Sequence, residues 1–108
     1  MVPVHNPLID SLPEGERTRL LDRAVPRRLA RGDALCFAGD LERRVHFVCA
    51  GFLKLSVCDG EGRETTLALA TEGDVVGETA AIDGGVQPAD VVAMSRCEVL
   101  GVDADLFL

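Results

Sequence analysis

The chain has 108 residues, 18 of them acidic and 11 basic, for a formal charge of −7. A single domain of this length can bury a core without staples, and its acidic balance argues against gripping a nucleic-acid backbone through this segment alone. No apolar run approaches the ~20 residues of a membrane-spanning helix. Residues 1–6 also lack the basic-then-apolar pattern of a signal peptide, so the expectation is a cytoplasmic protein with no membrane partner.

Residues 6–25 read as a helical lead-in. Asn6 or Ser11 is placed to cap, Pro7 and Pro13 suit first-turn positions, and Leu12, Leu20, Leu21 and Ala24 form an apolar stripe. Pro26 closes this region, and the basic run from Arg27 to Arg31 reads as a solvated face. The pattern then changes to short strands punctuated by turns. A strand is expected at 34–38 between the turns Arg31-Gly32-Asp33 and Gly39-Asp40, and another at 45–49 before Ala50-Gly51. Residues 52–58 alternate, with Leu53, Leu55 and Val57 on one face and Lys54 and Ser56 on the other. Asp59-Gly60-Glu61-Gly62 is a hairpin loop. Residues 63–70 alternate again, with Thr65, Leu67 and Leu69 sharing a face. A glycine-punctuated stretch runs from Gly73 to Asp90, strands are expected at 91–94 and 97–102, and Asp103-Ala104-Asp105 reads as the start of a helix cut short at Leu108. Strands at this spacing with glycine-rich turns predict a mainly β protein, a sandwich or jelly roll over about 28–102, within one domain covering 1–108.

The reactive side chains do not assemble into a catalytic set. The two histidines, His5 and His46, are far apart, whereas a metal-dependent jelly roll needs a cluster of His and Glu at its strands. Cys36, Cys49, Cys58 and Cys97 are spaced 13, 9 and 39 residues apart. They do not cluster as iron–sulfur ligands do, and in a reducing compartment they read as thiols. No phosphate-binding loop of the nucleotide-hydrolase type is present. The expectation is a protein that is not an enzyme and carries no metal.

Several segments, taken in order, resemble the cyclic nucleotide-binding domain of the Crp/Fnr family of bacterial transcription regulators. Leu29-Ala30-Arg31-Gly32-Asp33-Ala34-Leu35-Cys36-Phe37-Ala38-Gly39-Asp40 is similar to the family's entry into the barrel. Val45-His46-Phe47-Val48-Cys49-Ala50-Gly51-Phe52-Leu53-Lys54-Leu55 is similar to its following strand pair, and Asp59 to Glu64 to the next hairpin. Gly73-Asp74-Val75-Val76-Gly77-Glu78 resembles the Gly-Asp-hydrophobic-hydrophobic-Gly-Glu signature of the phosphate-binding cassette. The resemblance spans about residues 18–108. It implies a double-stranded β-helix (jelly roll) with short N-terminal helices and a truncated C-terminal helix. It further implies a homodimer in the full-length protein, and DNA contact only through a helix-turn-helix domain that this chain does not contain.

In the family cassette, backbone N–H groups at a short helix and an arginine about ten residues after the glutamate hold the phosphate, while the glutamate accepts from the ribose hydroxyl. The resemblance places Gly77 and Glu78 in those roles, followed by Thr79. Continuous alignment places Pro88 at the arginine, Ala89 at the neighbouring Ser/Thr and Asp90 at a small residue. Pro88 has neither charge nor N–H, Ala89 lacks a hydroxyl, and Asp90 adds a negative charge. The expected pocket is lined by Leu55, Leu67, Leu69, Gly77, Glu78, Thr79, Pro88 and Ala89. The expected function is a ligand-sensing regulatory domain with a degenerate cassette, taking a small-molecule effector and no cofactor. A genuine cAMP or cGMP sensor and a ligand-independent dimerisation module are the alternatives.

Overall fold

A computed structural model of the chain describes residues 6–41, 43–77, 85–103 and 105. Among the described residues, two helices, α1 (Pro7–Asp10) and α2 (Glu14–Arg23), precede eight strands. The strands are β1 (Val25–Leu29), β2 (Ala34–Cys36), β3 (Arg44–Ala50), β4 (Leu53–Cys58), β5 (Glu64–Ala70), β6 (Val75–Val76), β7 (Asp90–Ala93) and β8 (Cys97–Asp103). They form two antiparallel four-stranded sheets, ordered β1-β8-β3-β6 and β2-β7-β4-β5. Sequential strands repeatedly cross from one sheet to the other, which is the jelly-roll architecture expected from the turn spacing.

The first sheet is apolar on both faces because each face meets something. Val48, Val76, Cys97 and Val99 face the second sheet and pack with Leu35, Leu53, Ala70, Val91 and Ala93. The alternate residues Val45, Phe47, Cys49, Leu100 and Val102 face outward, where Ile9 and Leu20 of the helices cover them. Leu12, Leu21 and Ala24 of the expected stripe pack at the margin of that cluster. A strand with buried partners on both faces loses the usual apolar–polar alternation, which is why apolar residues on β3 occupy both faces, Val45, Phe47 and Cys49 on one and Val48 on the other.

Three local expectations are corrected. Pro26 does not merely close the helical lead-in. The helix ends at Arg23, and Pro26 sits inside β1, opposite Leu100 of β8. β1 is the edge strand of its sheet, where a residue without an N–H is tolerated. Arg27 and Arg28 are exposed on that strand, as a solvated face requires. Ser11 is not the cap of α2. Pro13 occupies that position without a side-chain hydrogen bond, and its carbonyl accepts from Arg17 N–H at 2.9 Å.

On β5, alternation does not run unbroken from Thr65 to Leu69. Leu55 faces Ala68 and Ser56 faces Thr66, so Leu67 is the extra residue of a β-bulge. Asp103 closes β8, and its Oδ1 accepts from Asp105 N–H at 3.0 Å as a helix N-cap does, with Asp105 in a helical turn, in line with the expected helix start. Ala104 and residues 106–108, where the expected helix continues, lie outside the described residues.

Candidate functional site

The turn that enters the cassette is built by hydrogen bonds the sequence already signals. Asp74 Oδ2 accepts from Thr71 N–H at 2.7 Å, and Asp74 N–H donates to Thr71 O at 2.9 Å. This is the self-contained turn that an Asp next to Gly favours. Val48 N–H donates to Asp74 O at 2.9 Å, and Gly73 N–H donates to Val48 O at 3.0 Å. The turn is thereby fastened to the middle of β3, and β6 follows, pairing Val75 with Phe47 and Val76 with His46.

Beside this turn lies an open cleft of about 420 Å³, within the range of small-ligand sites. Its walls are Leu55 of β4, Ala68, Leu69 and Ala70 of β5, and Gly73 to Val76. Leu53 and Ala70 belong to the core between the sheets. Their strand-mates Leu55 and Ala68 share that face, since Leu53 pairs with Ala70 and Leu55 with Ala68. Asp74 is the one ionisable residue among these lining residues, and none of them is cationic.

The residues expected from sequence are distributed as follows. Leu55 and Leu69 line the cleft. Leu67, displaced by the bulge, is 57% exposed and lies outside the lining. Gly77 immediately follows the lining residue Val76 and holds φ +87°, a conformation an L side chain rarely adopts. Glu78 and Thr79 lie outside the described residues. Pro88 is exposed, whereas Ala89 is buried at 3%. Asp90 ties two elements together: its Oδ1 accepts from Ala38 N–H at 2.8 Å, joining the turn after β2 to the start of β7. Arg96, the nearest downstream cation, is exposed in the turn between β7 and β8 and is absent from the cleft lining.

Gln87 was not among the expected residues. It is 3% exposed. Its backbone is held at both ends: Gly39 N–H donates to Gln87 O at 2.9 Å, and Gln87 N–H donates to Asp40 O at 2.8 Å. A side-chain carbon on Gly77 would stand 3.3 Å from Gln87 Nε2 and 3.3 Å from Arg44 O, so the glycine leaves room for the amide. The available signal was the period-two burial of Ala89, Val91 and Ala93, which extends back to Gln87 and skips Pro88.

A second interior polar residue, His46, is 2% exposed and packs on Gly101, where a side-chain carbon would lie 3.2 Å from its ring. Cys49 lies on the outer face of β3. Burial pushes its thiol pKa up, and the carboxylates of Glu98, Glu72 and Asp10 add to the shift, so the neutral form is held. Among the described residues no group of His, Cys, Asp and Glu is arranged to hold a metal ion.

Residues 26–108 match the family model described as the cyclic nucleotide-binding domain, and the chain belongs to that family. Among characterised relatives, the cyclic AMP receptor protein of Thermus thermophilus is 29% identical over 103 residues, covering 95% of this chain and 48% of that protein. Among solved structures, a regulatory protein of Silicibacter pomeroyi superposes with a TM-score of 0.83 at 31% identity, over 94% of this chain and 47% of its own. The N-terminal domain of a transcriptional regulator from Streptomyces coelicolor superposes with a TM-score of 0.82 at 29% identity, over 94% of this chain and 71% of its own. The chain thus spans about half the length of the first two. The domain has the fold of the Crp/Fnr ligand-sensing module.

Proposed function

We propose that this domain is the effector-sensing part of a Crp/Fnr-type transcription regulator whose phosphate cassette is degenerate, so that cyclic nucleotides are not its physiological ligand. The observation that carries this reading is the absence of a cation among the described residues that line the cleft. An anion taken out of water needs a compensating charge and donors. Among the described lining residues the one charged side chain is Asp74, of the same sign as a phosphate. An open cleft of ligand size favours a sensing module over a collapsed interaction domain.

The mechanism is allosteric rather than catalytic. A ligand in the cleft touches the Gly73–Asp74 turn, and that turn is bonded to β3, which in turn holds the N-terminal helix through Asn6. In the full-length protein the readout would pass to a homodimer and to a DNA-binding domain in the cytoplasm. Melting curves with millimolar cAMP and cGMP test the reading. The expected result is no shift in Tm, and a saturable stabilisation by either nucleotide contradicts it.

A further inference from the structure

We propose that the effector of this domain is a small uncharged molecule with an apolar body, seated in the open seam between the two sheets and held at its rim by main-chain hydrogen bonds. The proposal rests on the reading of the cleft as the sensing site. Leu53 pairs with Ala70 in the core, and Leu55 pairs with Ala68 on the same inner face, two residues further along each strand. Leu53 and Ala70 are buried, whereas Leu55 is half-buried and Ala68 is exposed. The inner face of this sheet thus emerges from the core at the cleft, which both Leu55 and Ala68 line. Aliphatic surface that faces inward and still meets water is what an apolar ligand covers on binding.

The rim has a different chemistry. Among the described residues β5 pairs only with β4, and β6 only with β3, so each ends its sheet. The cleft lies where these two edges meet, since Ala68, Leu69 and Ala70 line it from β5 and Val75 and Val76 from β6. The outer edge of such a strand carries N–H and C=O groups without a ladder partner. They bond a carbonyl, an amide or a hydroxyl with no charge on either side. An anion fares worse. No described lining residue is cationic, Asp74 is negative and the chain carries −7 overall, so a desolvated anion meets no counter-charge.

Two fluorescent probes built on one ring system separate charge from shape: N-phenylnaphthylamine, which is neutral, and anilinonaphthalenesulfonate, which adds a sulfonate. Titrated against the unsubstituted chain, the neutral probe is expected to saturate at one site and to bind at least tenfold more tightly than the anionic one. Ala68→Trp fills the seam from an exposed position and is expected to weaken the neutral probe at least tenfold. Leu41→Ser, at an apolar side chain 81% exposed and outside the cleft lining, is expected to leave it unchanged. No saturable binding of the neutral probe, equal or tighter binding of the anionic one, full affinity in a folded Ala68→Trp, or an equal loss in Leu41→Ser overturns the proposal. The ratio of the two probes needs no variant, and it decides the matter if Ala68→Trp does not fold. Tight cAMP binding by the unsubstituted chain contradicts the degenerate cassette instead, and is read separately from the two probes.

Discussion

Asn6 and Gly73 converge on a single acceptor. Asn6 Nδ2 donates to Val48 O at 3.1 Å, and Gly73 N–H donates to the same oxygen at 3.0 Å. Asn6 is fully buried, and the adjacent Pro7 packs on Gly73, with ring carbons 3.3 and 3.5 Å from where a side chain there would begin. The start of the described chain, the middle of β3 and the mouth of the cleft are therefore one hydrogen-bonded unit. Asn6→Ala removes the donor and leaves a void. It is expected to destabilise the fold by about 1–3 kcal/mol, a fall in Tm of about 4–8 °C per kcal/mol, measured by thermal melting. An unchanged Tm would mean that the N-terminal helix is not fastened to the cleft through Asn6.

Gly51 turns the chain from β3 into β4 with φ +80°, and a side-chain carbon there would stand 2.1 Å from Arg96 O. Backbone strain and overlap add, so Gly51→Ala is expected to cost roughly 2–5 kcal/mol. Gly60→Ala, in the exposed hairpin loop with open space around it, is expected to stay within about 0.5 kcal/mol. Urea denaturation of the two variants checks the contrast.

The bulge in β5 makes a second contrast. Leu53 is fully buried between the sheets, whereas Leu67 is 57% exposed. Leu53→Ala is expected to cost about 2–5 kcal/mol, and Leu67→Ala about 0.5 kcal/mol or less. A large cost at Leu67 would mean that it, and not Ala68, is the inward residue.

The cysteines give a pH prediction. The Cys49 thiol has its folded-state pKa raised above its ordinary value of 9.0 by burial and by the nearby carboxylates. Below that value both states hold the proton and the residue is neutral to stability. Above it the unfolded chain ionises first and binds fewer protons, so stability falls as pH rises past about 9. Cys49→Ala is expected to remove part of that alkaline loss. Among the four thiols, Cys58 is exposed while Cys36, Cys49 and Cys97 are buried. Alkylation at neutral pH is expected to label Cys58 first, read by mass spectrometry.

The corner from Gly73 to Gly77 was legible because its turn is local. Asp74 satisfies its own turn, and Gly77 supplies the positive φ. The apolar stretch of β3 and the alternation of β4 were legible for a similar reason, since each pattern is local. What escaped depended on partners distant in sequence. Pro26 argues against a strand until its place at a sheet edge is known. The bulge at Leu67 exists only relative to β4. Gln87 faces inward because Gly39 and Asp40, nearly fifty residues earlier, hold its backbone.

Whether the cassette is degenerate is decided by a calorimetric titration of the unsubstituted chain with cAMP. Without a charge-assisted contact to the phosphate, affinity is lower by about 1.5–3 kcal/mol, roughly ten- to a few hundredfold. The expected result is no saturable heat up to millimolar nucleotide. A saturating isotherm with a micromolar or tighter Kd would contradict the degenerate cassette and return the domain to the genuine cyclic nucleotide sensors.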